Sequence, residues 1–161
     1  MKYKAVDPIL RVVCPLLAEF NNQDEDDVSM DRAAAQVLDT MAINLPSKQV
    51  FPLVFEFAMG NAGNPNPNCR EASVMALGVI TEGCSEGMKK RLSDISRLVL
   101  QALQDPEQNV RGAASFTLGL FAEHLQPEIA EYYETVLPCI FNVLSDVSAD
   151  VQVRPHTIHE S

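Results

Sequence analysis

The chain has 161 residues, 47% of them apolar, and a formal net charge of −10. That apolar share is enough to fill one moderate core. The acidic excess speaks against a nucleic-acid backbone as the main partner, because covering phosphates takes Lys and Arg. It would instead attract and orient a basic partner, or simply keep a helical surface soluble.

The first residues, 1–7, contain no apolar run of the kind a secretory signal carries. Asp7-Pro8 places a capping side chain ahead of a helix-starting proline, and the apolar run 12–17 follows with Pro15 inside it. Residues 23–27 hold four consecutive acids, Asp24, Glu25, Asp26 and Asp27. They read either as a solvated linker or as an acidic loop that recruits a basic partner. A second helix is expected over 31–41. Pro46 marks the next start, and the run 50–54 carries Pro52. The Asn/Pro/Gly-rich stretch 61–68 is a loop by composition, with Asn66-Pro67 as a cap for a helix over 70–80. The run 95–100 precedes Asp105-Pro106, where Gln108 would complete a capping box with Asp105. A helix over 111–121 follows, then Pro127 as another start, and the run 136–141 with Pro138.

Three of these helices are copies of one pattern. Segments beginning at Asp31, Arg70 and Arg111 align 39 and 41 residues apart, with Ala33, Ala72 and Ala113 at the third position and Leu38, Leu77 and Leu118 at the eighth. Met41, Ile80 and Phe121 share the eleventh. Each is preceded by an apolar run, 136–141 is a fourth such run, and three of the four carry a proline in register, which would bend the helix. A period near 40 residues with two helices is the HEAT or armadillo range. One hairpin cannot bury its apolar face, so neighbours stack into a continuous core. The expected fold is an all-α HEAT-repeat α-solenoid of about three and a half hairpins. The units run over 7–45, 46–85, 86–125 and 126–151, with 152–161 as a divergent, disordered tail.

On a helical wheel, the third, seventh, eighth and eleventh positions of each segment cluster toward the core. The second, sixth, ninth and thirteenth form the opposite stripe. It comprises Arg32, Gln36, Asp39 and Ile43, then Glu71, Met75, Gly78 and Glu82, then Gly112, Phe116, Gly119 and Glu123. Acids mixed with exposed apolar residues suit a basic, partly extended peptide, with Gly78 and Gly119 leaving room for close approach. Met75 and Phe116 equally suit covering a neighbouring repeat.

Chemistry-bearing motifs are few. Cys14, Cys69, Cys84 and Cys139 lie too far apart in sequence for a Cys-x-x-Cys site and read as reduced thiols. His156 and His159 sit in the tail with no metal-ligand context, and His124 reads as a helix C-terminal residue. No phosphate loop or nucleophile elbow is visible, so no enzyme, cofactor or metal is expected.

The stretch 105–111, Asp-Pro-Glu-Gln-Asn-Val-Arg, resembles the HEAT signature, in which an Asp after the first helix and an Arg at the start of the second form ladders between repeats. Asp105 and Arg111 match it, and Asn66 with Arg70 more loosely. The stretches 110–129 and 70–85 are similar to the importin-beta superfamily of nuclear transport receptors, and the acidic loop followed by 34–41 to its importin-4-like branch. The resemblance covers residues 8–151 and implies part of a longer solenoid, since family members have about twenty repeats. Residues 145–151 align with 104–110 and should launch a fourth second helix, yet 153–161 lack its pattern, so a truncated product is one expectation.

The resemblance implies a nuclear import receptor segment. Its second helices would bind basic cargo on the concave face, at Arg32, Gln36, Asp39, Glu71, Met75, Glu82, Phe116 and Glu123. It further implies control by Ran-GTP, contact with nucleoporin Phe-Gly repeats, and shuttling between cytoplasm and nucleus through the pore, with no direct nucleic acid and no membrane insertion. The alternative is a HEAT scaffold of another complex, of the phosphatase-scaffold type.

Overall fold

The structure is a computed structural model and describes residues 4–19 and 29–145. The acidic loop Asp24–Asp27, the tail 152–161 with His156 and His159, and the expected launch of a fourth second helix all lie outside the described residues. Among the described residues every regular element is helical. In chain order they are α1 (Val6–Leu16), α2 (Met30–Asn44), α3 (Ser47–Asn61), α4 (Pro67–Val79), α5 (Thr81–Lys89), α6 (Leu92–Ala102) and α7 (Gln108–His124). A 3-10 turn (Glu128–Tyr132) then leads into α8 (Tyr133–Ser145).

The helices form hairpins that stack into a solenoid. α1 packs on α2, α3 on α4 and α6 on α7, while α2 lies beside α4 and α5, which in turn lie beside α7. The apolar stripes meet in one continuous core. Leu38, Leu77 and Phe121, from three successive copies of the repeat, are fully buried within it. Truncating any of them to Ala would cost about 2–5 kcal/mol through lost transfer energy and the cavity left behind. Pro15, Pro52 and Pro138 lie inside α1, α3 and α8, each with its ring exposed.

The ends of the helices depart from the sequence expectation in several places. Asp7 is not a cap, because α1 begins at Val6 and Asp7 instead pairs with Arg11 one turn on. Asn66 does cap α4, its side chain accepting from the Asn68 amide. Asp105 forms no capping box with Gln108, since α7 begins only at Gln108. Its Oδ1 accepts from the Glu107 amide two residues on, and its carboxylate is held by Arg70. Pro127 leads into a 3-10 turn rather than an α-helix.

The second helix of the middle repeat is divided at Ile80 into α4 and α5. Buried Thr81 donates its hydroxyl to the Leu77 carbonyl one turn back, an arrangement that bends helices. Cys84, further along, has non-helical φ and ψ. Two wheel positions also move. Val37 was expected inward but is 44% exposed. Its counterpart Thr117 packs against the preceding repeat, and Val37 has no preceding repeat among the described residues. Gly78 was expected open, yet it is buried against the next repeat.

Candidate protein-binding groove

The site is built from the faces of α2, α4–α5 and α7. Ala35, Gln36 and Asp39 from α2 form one wall of a groove of about 300 Å³. Gly78, Val79 and Glu82 from α4 and α5 form its floor, and Phe116, Leu120 and His124 from α7 form the other wall. Each helix contributes because its neighbour is held close. A Cβ on Gly78 would stand 2.6 Å from Thr117 Oγ1, so only glycine lets α7 approach α4 this nearly. Thr117 Oγ1 in turn donates 3.1 Å to the Val74 carbonyl, anchoring the seam beneath the groove.

The groove gathers Gln36, Asp39, Glu82 and Phe116 from the predicted stripe. Two carboxylates flank an apolar strip in which Phe116 is 48% exposed. Such a surface can take an alkyl stem along Val79, Phe116 and Leu120 and a cationic head near the acids. The other predicted residues lie elsewhere. Arg32 is exposed near the start of α2, and Glu123 is exposed at the end of α7, with a carboxylate oxygen 3.9 Å from His124 Nε2. Met75 is half-buried and packs against the core. Glu71 is half-buried at the start of α4, where burial first and Asp31 second push its carboxyl up from the ordinary value.

Sequence reasoning missed Ala35, Val79, Leu120 and His124. The last two form with Phe116 a ridge four residues apart, which leans around α7 from the counted stripe. The spacing was readable, but only the packing of α7 on α4 turns that ridge into a groove wall.

At one edge of the stack the predicted ladder residues form a repeating device. Arg70 bonds to Asp105 in the next repeat through Nε to Oδ2 at 2.8 Å and Nη2 to Oδ1 at 3.0 Å. Its Nη1 also reaches the Asn64 and Pro65 carbonyls. Arg111 Nη1 reaches the Asp105 and Pro106 carbonyls, the same two positions relative to itself. The counterpart of Asp105 is therefore Asn64, not Asn66. The side chains agree: Asn64 Oδ1 accepts from the Asn66 amide as Asp105 Oδ1 does from that of Glu107.

The HEAT-like repeat family matches residues 67–121, which span α4 to α7. Mouse importin-4 is 32% identical over 91% of the chain. The chain belongs to the importin-beta superfamily, in its importin-4-like branch. It spans 15% of the length of mouse importin-4. A crystal structure of importin beta superposes with a TM-score of 0.80 at 23% identity, covering 89% of this chain and 17% of that one. The crystal structure of Kap121p bound to RanGTP gives 0.76 at 20% identity, covering 85% of this chain and 15% of that one. At those identities the likeness is one of fold, and it is the HEAT solenoid.

Among the described residues no group of three or more His, Cys, Asp or Glu side chains could hold a metal ion. All four cysteines are free thiols, and burial pushes that of Cys14 up to about 11, well away from a reactive thiolate. Among the described residues no helix is long and apolar enough to cross a membrane.

Proposed function

We propose that this chain is a cargo-binding segment of a nuclear import receptor. A basic, partly extended segment of cargo would lie across the second helices, which line the concave side of such solenoids. The observation that carries this reading is the groove between α2 and α7, where Asp39 and Glu82 flank Phe116 and Leu120. A lysine or arginine of the cargo lays its stem on the apolar strip and its charge against the acids. Arg32, Glu71, Met75 and Glu123 extend the surface along the same helices. The acidic residues Asp24, Glu25, Asp26 and Asp27 steer the cargo toward it, an effect that weakens as salt rises.

The whole receptor would release its cargo on binding Ran-GTP and shuttle between cytoplasm and nucleus through the nuclear pore. Kap121p, which shares the fold, has been solved with RanGTP bound. Nucleoporin Phe-Gly repeats would use the opposite side. A groove of about 290 Å³ between α1 and α3, lined by Leu10, Leu53 and Phe57 and also by the charged Arg11 and Glu56, offers them a cleft. Neither nucleic acid nor a membrane is needed for this role, and no covalent step is.

The competing reading is a scaffold that holds other proteins in fixed geometry, as phosphatase scaffolds do. The two differ in partner behaviour. A receptor containing this segment captures basic cargo and lets it go on addition of Ran-GTP. Capture that is indifferent to Ran-GTP would favour the scaffold.

A further inference from the structure

The two seams between the three copies of the repeat are built differently. The seam between the second and third copies is pinned at the helix starts by the Arg70–Asp105 fork, whose side chains are 16% and 11% exposed. It is pinned again in mid-helix, by Thr117 on the Val74 carbonyl and by the close approach at Gly78.

The seam between the first and second copies has no such fork. The position of Arg70 is taken by Asp31, and that of Asp105 by Asn64. Asn64 is engaged within its own loop, accepting from the Asn66 amide and donating to Asn61 Oδ1 at 3.3 Å. Asp31 Oδ1 is shielded from solvent and has no hydrogen-bond partner among the described residues. Glu71 lies near enough for Asp31 to add, after burial, to the upward push on its carboxyl, so this end of the seam holds two like charges where the other seam has an ion pair. At its far end, however, this seam is tight. A Cβ on Gly83 would stand 2.2 Å from the Ala42 carbonyl oxygen, so α5 lies directly on the backbone at the end of α2.

We infer that the seam between α2 and α4–α5 is a hinge that pivots at Gly83 on Ala42 and opens at the Asp31–Glu71 end. The seam is fixed at one end and carries a repulsion at the other, where the next seam carries a fork. Since Ala35, Gln36 and Asp39 form one wall of the groove, this hinge moves that wall against the one formed by Phe116, Leu120 and His124. The α4–α7 side stays rigid. The consequence for cargo rests on the proposed function, but the hinge does not, and it is measured with no ligand present.

The test is hydrogen exchange on the chain and on a variant that installs the missing fork, Asp31→Arg with Asn64→Asp. The Asn64→Asp change keeps the bond accepted from the Asn66 amide, as Asp105 accepts from the amide two residues on, and gives up only the 3.3 Å bond to Asn61 Oδ1. In the natural chain, amides 34–38 exchange faster than their counterparts 73–77. The double variant slows 34–38 by about tenfold, the opening equilibrium expected for one charged hydrogen-bonded pair. Asp31→Arg alone, which only removes the repulsion with Glu71, slows them by less, Asn64→Asp alone does not slow them, and amides of α7 do not change. Equal protection of the two segments in the natural chain, or a double variant no slower than the singles, would overturn the hinge. Arg70→Gln provides the converse in case the double variant fails to fold. It must raise exchange at 73–77 toward the level of 34–38, and unchanged exchange there also overturns the proposal.

Discussion

Arg70 on α4 grips Asp105 of the following repeat with two parallel hydrogen bonds and, with the same guanidinium, holds two carbonyls of its own loop. One side chain thus fixes both the turn within a repeat and the offset between repeats. A forked, mostly shielded pair of this kind is little screened by salt and is specific to the planar guanidinium.

Asp105→Asn or Arg70→Lys should therefore lower the thermal midpoint by roughly 5 °C, with Lys failing to restore what Arg supplies. The pH dependence follows from the sign of the shift. The Arg70 hydrogen bond, foremost, holds the Asp105 carboxyl below its ordinary 3.8. Its contribution is complete above about 3.8 and is lost as pH falls through the lower folded value. Thermal melts of both proteins from pH 7 to pH 2 should converge at the acid end.

Glu71 should behave in the opposite sense. Its carboxyl is raised above the ordinary 4.5 by burial and by Asp31, so the folded state holds its proton more tightly than the unfolded one. Above the raised value Glu71 weakens the fold. The cost fades as pH falls and is gone below about 4.5. Glu71→Gln should raise the midpoint at pH 7 by a few degrees and have no effect at pH 4, as thermal melts at the two pH values will read.

Two glycines on the second helices should respond differently to alanine. Gly83→Ala puts a methyl into the Ala42 backbone and should cost about 1–3 kcal/mol. Gly119→Ala meets nothing within 4 Å and should gain about 0.5–1 kcal/mol from helix propensity alone. Urea denaturation of the two variants checks both values.

That contrast shows what the sequence carried and what it did not. The repeat, its helices and their inward faces followed from Ala72, Leu77, Ala113 and Leu118 and from the periodic apolar runs. Gly78 and Gly119 look identical in sequence, yet one is buried against Thr117 and the other stands open, because the difference lies in the neighbouring repeat. The same holds for the ladder. The 41-residue offset that sets Arg70 against Arg111 also sets Asp105 against Asn64, but the second of two successive Asn-Pro pairs drew the match to Asn66, and the carbonyls that Arg70 reaches show the true register. The division of the middle second helix at Ile80 is registered by no periodicity, and Thr40 makes the same bond as Thr81 to the carbonyl one turn back without dividing α2. Half of the groove was legible as a polar-apolar stripe. The Leu120–His124 ridge was not, because it depends on how α7 leans on α4.

The acidic run should act through long-range charge. Replacing Asp24, Glu25, Asp26 and Asp27 by their amides should lower affinity for a basic import-signal peptide several-fold at low salt and little at high salt. Titrations at two ionic strengths decide this, and an unchanged low-salt affinity would remove the run from the binding surface.

The groove between α2 and α7 is the centre of the account, and its acids can be reversed without touching the core. Calorimetric titration of a basic import-signal peptide into the natural chain and into Asp39→Lys/Glu82→Lys tests it most directly, with melting curves confirming that both are folded. The double variant should lose at least about tenfold in affinity, the worth of one or two charge-assisted contacts. Equal affinity for the two proteins would contradict it.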